Sequence, residues 1–126
     1  MQKVGCGATV PAMANDSLVS ERIDNVLCIS VDDGRANAFS PPLLLALSQE
    51  LAEAESDPNI GAVVLAGNEK IFFAGFDLDV IKSGDPKAIT EMGSAGGALI
   101  RQAYGASVPV VAACTGHAVA AGALML

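Results

Sequence analysis

Aromatic, basic and metal-binding residues are all scarce in this chain of 126 residues, and each shortage excludes something. Aromatics make up 4% against 52% apolar residues overall, so any interior is built mainly from Val, Leu, Ile and Ala. Seven basic residues stand against 14 acidic ones. The resulting charge of −7 argues against non-specific binding to nucleic acid or to an anionic membrane. A single histidine and three cysteines without Cys-x-x-Cys spacing leave no zinc set, and no metal is expected. Cys28 and Cys114 fall inside apolar strand candidates, where a free thiol behaves as a small hydrophobe. That usage points to a reducing compartment, expected to be cytoplasmic. No base or activating neighbour marks Cys114 as a nucleophile. No transmembrane segment interrupts the chain. Ala12-Met13-Ala14 superficially resembles a signal-peptidase site but lacks the apolar run that must precede one. Residues 1–17, with Gly5, Gly7, Pro11, Asn15 and Asp16 and no periodicity, read as a loose leader.

What is present reads as one α/β domain over residues 18–126, long enough for its own core. Val19–Ile23 and Val26–Val31 form a hairpin about the turn Asp24-Asn25, and Asp32-Asp33-Gly34 ends the second strand. Ser40 caps a helix with Pro41 and Pro42 in its first turn. Leu43, Leu47 and Leu51 define its apolar face, widened by Leu44, Leu45 and Ala52, while Glu50, Glu53 and Glu55 form a solvated face. Asp57-Pro58-Asn59 stops it, and Gly61–Ala66 returns to the sheet. Asp79–Asp85 reads as a polar connection. Pro86 opens a second helix through Ile89, Met92, Ala95, Leu99, Ile100 and Tyr104, weakened by Gly93, Gly96 and Gly97. The glycines fit close packing against another backbone. Arg101 and Tyr104 receive no catalytic role.

Two corners carry the chemical interest. Phe72-Phe73-Ala74-Gly75-Phe76-Asp77-Leu78 follows the strand ending at Ala66 after the turn Gly67–Lys70. Cys114-Thr115-Gly116-His117-Ala118-Val119-Ala120-Ala121-Gly122-Ala123-Leu124 follows the strand Val108–Ala113 and opens a helix-like run. Strand-to-helix corners of small residues can aim main-chain N–H groups at an oxygen that becomes negative during reaction.

Phe73–Leu78 followed by Gly116–Gly122, with Gly34-Arg35-Ala36-Asn37-Ala38-Phe39 before them, resembles the enoyl-CoA hydratase/isomerase (crotonase) superfamily over residues 18–126. The resemblance implies a crotonase-like spiral of repeating ββα units, incomplete at its C-terminal end. Ala121–Leu126 reads as the opening of an apolar helix, with Leu124, Met125 and Leu126 as an exposed stub. A longer protein is therefore expected, assembled as a homotrimer or hexamer, with this chain alone inactive. The ligand implied is a coenzyme A thioester used as substrate, with no further cofactor. Its carbonyl would rest between the backbone N–H groups of Phe76 and Ala121. The substrate loops would comprise Arg35, Ala36 and Ala38, then Ala74, Gly75, Phe76, Asp77 and Leu78, then Val119, Ala121, Gly122 and Leu124. Arg35 and Lys70 either meet the anionic ligand or are ordinary solvated charges. Asp77 is expected to hold its own loop, and His117 to pack behind the second corner.

One departure bears on the chemistry. Hydratases of this family carry a glutamate where this chain has Leu124, and single-base Δ3,Δ2-enoyl-CoA isomerases have an apolar residue there. Their first loop, Phe-Ser-Ala-Gly-Leu-Asp-Leu, is close to Phe73–Leu78. The reading therefore leans to isomerase-type proton transfer over hydratase. The remaining glutamate is expected after Leu126, so no acid or base is assigned here. A non-catalytic acyl-CoA binder and a structural fragment are the rival classes.

Overall fold

The computed structural model describes residues 16–126; the expected leader, apart from Asp16 and Ser17, lies outside them. The hairpin forms as the turn chemistry predicts. β1 (Leu18–Ile23) and β2 (Val26–Val31) are antiparallel, with Leu18 opposite Val31 and Ile23 opposite Val26. Asp24 takes the left-handed conformation that the tight turn requires. α1 (Pro41–Ser56) starts where expected, the Ser40 side chain accepting from the Leu43 N–H. β3 (Ala62–Ala66) lies parallel to β2, and β5 (Val110–Ala113) parallel to β3, so the larger sheet runs β1-β2-β3-β5. The short β4 (Ile71–Phe73) leaves this sheet and pairs in parallel with β6 (His117–Ala118). Between them lie α2 (Leu78–Lys82) and α3 (Pro86–Tyr104), and a 3-10 helix spans Ala120–Met125.

The register explains which face is buried. Leu27 and Ile29 align with Val63 and Leu65, and all four are buried, forming one core with Leu43, Leu44, Leu47 and Leu51 of α1. The opposite face is less covered: Cys28 and Val64 align with Val111, which is exposed. α1 and α3 pack side by side, joined by Ser48 Oγ to Gln102 Oε1 at 2.9 Å and Gln102 Nε2 to the Ser48 carbonyl at 3.0 Å. Among the described residues no helix is long and apolar enough to cross a membrane.

Several local expectations change. Leu45 and Ala52 face solvent rather than widening the α1 stripe, and Ala54 is buried instead, because α3 covers one side of α1 only. The stretch after Asp77 is not merely a connection. Asp77 Oδ1 accepts from the Asp79 N–H at 2.9 Å and starts α2. Cys114 lies beyond the end of β5 and is exposed, so it is not a core thiol. The final run is a 3-10 helix, and Met125 is buried while Leu124 and Leu126 are exposed.

Glu50 also departs from expectation. Its carboxyl is half-buried; burial raises its pKa, the nearby Glu53 carboxylate adds to this, and a hydrogen bond with Ser20 opposes it. The folded state therefore binds this proton more tightly than the unfolded chain does. Stability from this group is present below the ordinary carboxylate range and is lost as pH rises through the raised pKa. Glu50→Gln should therefore raise the melting temperature at pH 7. The advantage should shrink as pH falls towards 4.5, the unperturbed value, in melts across that range. Gly93 is exposed within α3, and a methyl group there would meet nothing within 4 Å. Gly93→Ala should add about 0.5–1 kcal/mol to unfolding in denaturant titrations.

Candidate functional site

All four phenylalanines lie in the first corner and the loop before α1. Phe39 and Phe73 stack with centroids 4.7 Å apart, Phe72 meets Phe73 edge-on at 4.6 Å, and Phe76 meets Phe39 edge-on at 6.4 Å. Phe39, Phe72 and Phe73 are buried. Burying each such ring contributes about 1.5–3 kcal/mol, so the few aromatics present are concentrated where three loops must hold one geometry.

The backbone stitches these loops together. The Phe39 N–H donates to the Gly75 carbonyl at 2.7 Å, and the Asp77 N–H donates to the Phe39 carbonyl at 3.3 Å. The loop 34–39 thus lies alongside the first corner. The second corner is tied to β4 by the Val119 N–H donating to the Phe73 carbonyl at 3.0 Å and by the His117 N–H donating to the Lys70 carbonyl at 3.0 Å. Gly75 has φ +92°, and a methyl group on it would lie 3.0 Å from the Ala120 Cβ and 3.3 Å from the Ala121 nitrogen. A side chain there would be strained and would also separate the corners. Gly122 backs the contact from the other side: a Cβ on it would stand 2.7 Å from the Phe73 carbonyl carbon. Ala120 enters the 3-10 helix at φ +51°, a left-handed setting costing an alanine roughly 1–2 kcal/mol.

Phe76 and Ala121 therefore sit at one junction. Among the described residues neither amide donates to a protein acceptor, whereas the Asp77 and Gly122 amides beside them do. Two unpaired amides at one junction can donate to a carbonyl oxygen and stabilise negative charge on it.

The other expected site residues divide. Ala38 adjoins Phe39, and Ala74 lies between β4 and Gly75, so both flank the junction. Leu78, Val119 and Leu124 are exposed at 61%, 50% and 58%. Arg35 is exposed, its N–H held by Asp33 Oδ1 at 2.7 Å, with Ala36 beside it. His117 is exposed rather than packed behind the corner; only its backbone serves the sheet. Lys70 lies at the start of β4, on a cleft of about 610 Å³ shared with Glu69, Cys114, Thr115, Gly116 and His117. A second cleft of about 320 Å³ lies between Asp16, Ser17, Asp33 and the start of α1. Neither cleft contains Phe76 or Ala121.

Asn37 is the residue whose importance the sequence reading missed. It is fully buried at φ +50°. Its Nδ2 donates to the Val31 carbonyl at 2.9 Å and the Phe72 carbonyl at 3.1 Å, and its Oδ1 accepts from the Asp33 N–H at 3.0 Å. The end of β2, the loop 34–39 and β4 thus meet on one side chain. The available signal was an asparagine, tolerant of left-handed backbone, set between alanines in a turn.

A family model for enoyl-CoA hydratase/isomerase matches residues 21–126. The chain belongs to that family. A Thermus thermophilus relative, provisionally named enoyl-CoA hydratase, is 38% identical over 73% of this chain and 38% of its own length. A carnitinyl-CoA dehydratase of Salmonella enteritidis is 32% identical over 86% of this chain and 41% of the relative. A solved Mycobacterium tuberculosis structure of a probable enoyl-CoA hydratase superposes with a TM-score of 0.83 at 39% identity, over 88% of this chain and 47% of the other. The same mycobacterial protein, in its ligand-free form, is also described as an enoyl-CoA isomerase (TM-score 0.80, 37% identity, 88% and 47% covered). The fold is the α/β crotonase fold, present here in part. The chain spans less than half the length of these relatives.

Asn37→Ala should destabilise the protein by about 3–5 kcal/mol, because it leaves several buried backbone groups unpaired. Asn37→Asp keeps the shape but sets an oxygen against the Val31 and Phe72 carbonyls, and should lose a similar amount. Denaturant unfolding of both variants checks this.

Proposed function

We propose that this chain contributes the enolate-stabilising part of an acyl-CoA enzyme, with the thioester carbonyl held by the amides of Phe76 and Ala121. The observation that supports this reading is the seating of the Ala121 nitrogen against Gly75, next to Phe76, with both amides lacking a protein acceptor. An enolate oxygen carries more charge than the thioester carbonyl it came from. Fixed donors therefore favour the transition state over the ground state, and one such donor is worth about 3–4 kcal/mol. Gly75 and Gly122 keep the corners close, Asp77 caps α2, and Ala38 and Ala74 flank the path of the acyl group. Arg35 and Lys70, both exposed, are the cations on the proposed substrate loops that can meet the anionic coenzyme.

The reaction favoured is isomerisation of a 3-enoyl-CoA to the 2-enoyl-CoA. A base removes a proton from C2, the electrons move to the thioester oxygen, and the proton is returned at C4. Leu124, at the position where hydratases of this family carry a glutamate, supports one-base chemistry over addition of water. We assign no base within the chain; the family pattern places a glutamate after Leu126. Hydration of a 2-enoyl-CoA is the second reading, supported by the hydratase and dehydratase names of relatives. Cytoplasmic location and a homotrimer or hexamer belong to the same proposal.

The intact protein should shift the double bond of 3-enoyl-CoA substrates, followed at the absorbance of the conjugated thioester. Hydration of 2-enoyl-CoA alone would select the second reading. Binding of acyl-CoA with turnover of neither substrate would identify a non-catalytic binder and end the enzyme reading.

A further inference from the structure

The Phe76 N–H shares a peptide plane with the Gly75 carbonyl, which the Phe39 N–H holds at 2.7 Å, and the Phe76 ring adds a second hold. Met92, Gly96 and Leu99 form the buried stripe of α3. A methyl group on Gly96 would lie 2.7 Å from the Phe76 Cζ and would strike Cε1 as well. The ring therefore rests directly on the helix backbone in the gap between two core side chains. Its edge meets Phe39, whose backbone in turn hydrogen-bonds to Gly75 and Asp77 on either side of Phe76. α3 also packs against the 3-10 helix Ala120–Met125, which contains Ala121. One helix thus touches both corners of the junction. Gly93 and Gly97, the other glycines of α3, have no ring against them.

We propose that Gly96 is a positioning residue: by admitting the Phe76 ring, the α3 backbone fixes where the Phe76 N–H points. This rests on the oxyanion reading above and adds to it a size match between positions 76 and 96. The Gly75–Phe76 peptide is held on one side by the Phe39 N–H on the Gly75 carbonyl, and the ring wedged between α3 and Phe39 holds the Phe76 Cα from the other. A methyl group at position 96 displaces the ring and turns the amide away from the ligand oxygen. Gly93→Ala, on the open side of the same helix, leaves the amide where it is.

The test reads the amide through the ligand. The intact protein is saturated with an acyl-CoA carrying ¹³C at the thioester carbonyl, and the bound carbonyl stretch is compared with that of the free thioester by difference infrared spectroscopy. The wild-type protein should show a shift to lower frequency. Gly96→Ala should abolish most of that shift and lower kcat about 100-fold, at the lower end of what losing one such donor costs, with KM little changed. Gly96→Ala combined with Phe76→Leu should recover most of both, since the smaller side chain fits beside the new methyl. Phe76→Ala, which removes the ring, should lose the shift even with Gly96 intact, and it serves if Gly96→Ala fails to fold. The carbonyl is read on folded, saturated protein, so a change in melting temperature alone does not move it. A wild-type shift that persists in Gly96→Ala or in Phe76→Ala overturns the positioning role. So does a loss in Gly96→Ala that the double variant fails to recover. No shift in the wild-type protein overturns the oxyanion reading itself, and this inference with it.

Discussion

The close approach of two stretches of backbone is the constraint on which the rest depends. β4 and β6 belong to neither edge of the larger sheet, and together they contribute only five residues of strand. What holds them is contact without intervening side chains. Gly116 faces the peptide between Lys70 and Ile71, Gly122 faces the Phe73 carbonyl, and Gly75 faces Ala120 and Ala121. Each contact removes a side chain that would otherwise supply packing energy, so the neighbourhood must supply it. The four phenylalanines, in contact with one another around β4, do so.

Asn37 and Gly96 extend that logic outwards. From its own loop, Asn37 satisfies backbone groups at the end of β2 and on β4, a role no apolar residue can fill. Gly96 gives α3 a surface on which the Phe76 ring can lie. The left-handed Ala120 fits the same picture: local strain is retained where the surrounding hydrogen bonds over-determine the backbone, at the point where the second corner turns. Family membership and fold agree with this geometry, since the matched region covers both corners and the loop before α1. The names carried by relatives include hydratase, dehydratase and isomerase. That mixture is expected when the backbone site is shared and the acid–base side chains differ.

Much of the fold was legible in the residues themselves. The hairpin, the Ser40-capped helix, the helix opened by Pro86 and the strands ending at Ala66 and Ala113 follow from turn chemistry, capping and apolar period, all of which act over a few neighbours. The two corners were legible as well, because strand-to-helix turns made of small residues are local features. The misses share a cause. Periodicity or composition places Leu45, Ala52 and Cys114 in the interior, yet they face solvent because no other element covers them. The same period sets Glu50 on the solvated face, yet it sits partly covered near Ser20 of β1.

By itself, then, the sequence determined the hairpin, the two long helices, the strands of the larger sheet and the two corners of small residues. Only the tertiary structure decided that Gly75 lies against Ala121, that Asn37 joins three segments, and that Gly96 receives the Phe76 ring. The physical reason is range. Propensity and periodicity are properties of neighbours along the chain, whereas the contacts of Gly75 with Ala121, Asn37 with Phe72 and Gly96 with Phe76 link residues twenty to nearly fifty positions apart, and their geometry exists only once the sheets and helices have packed.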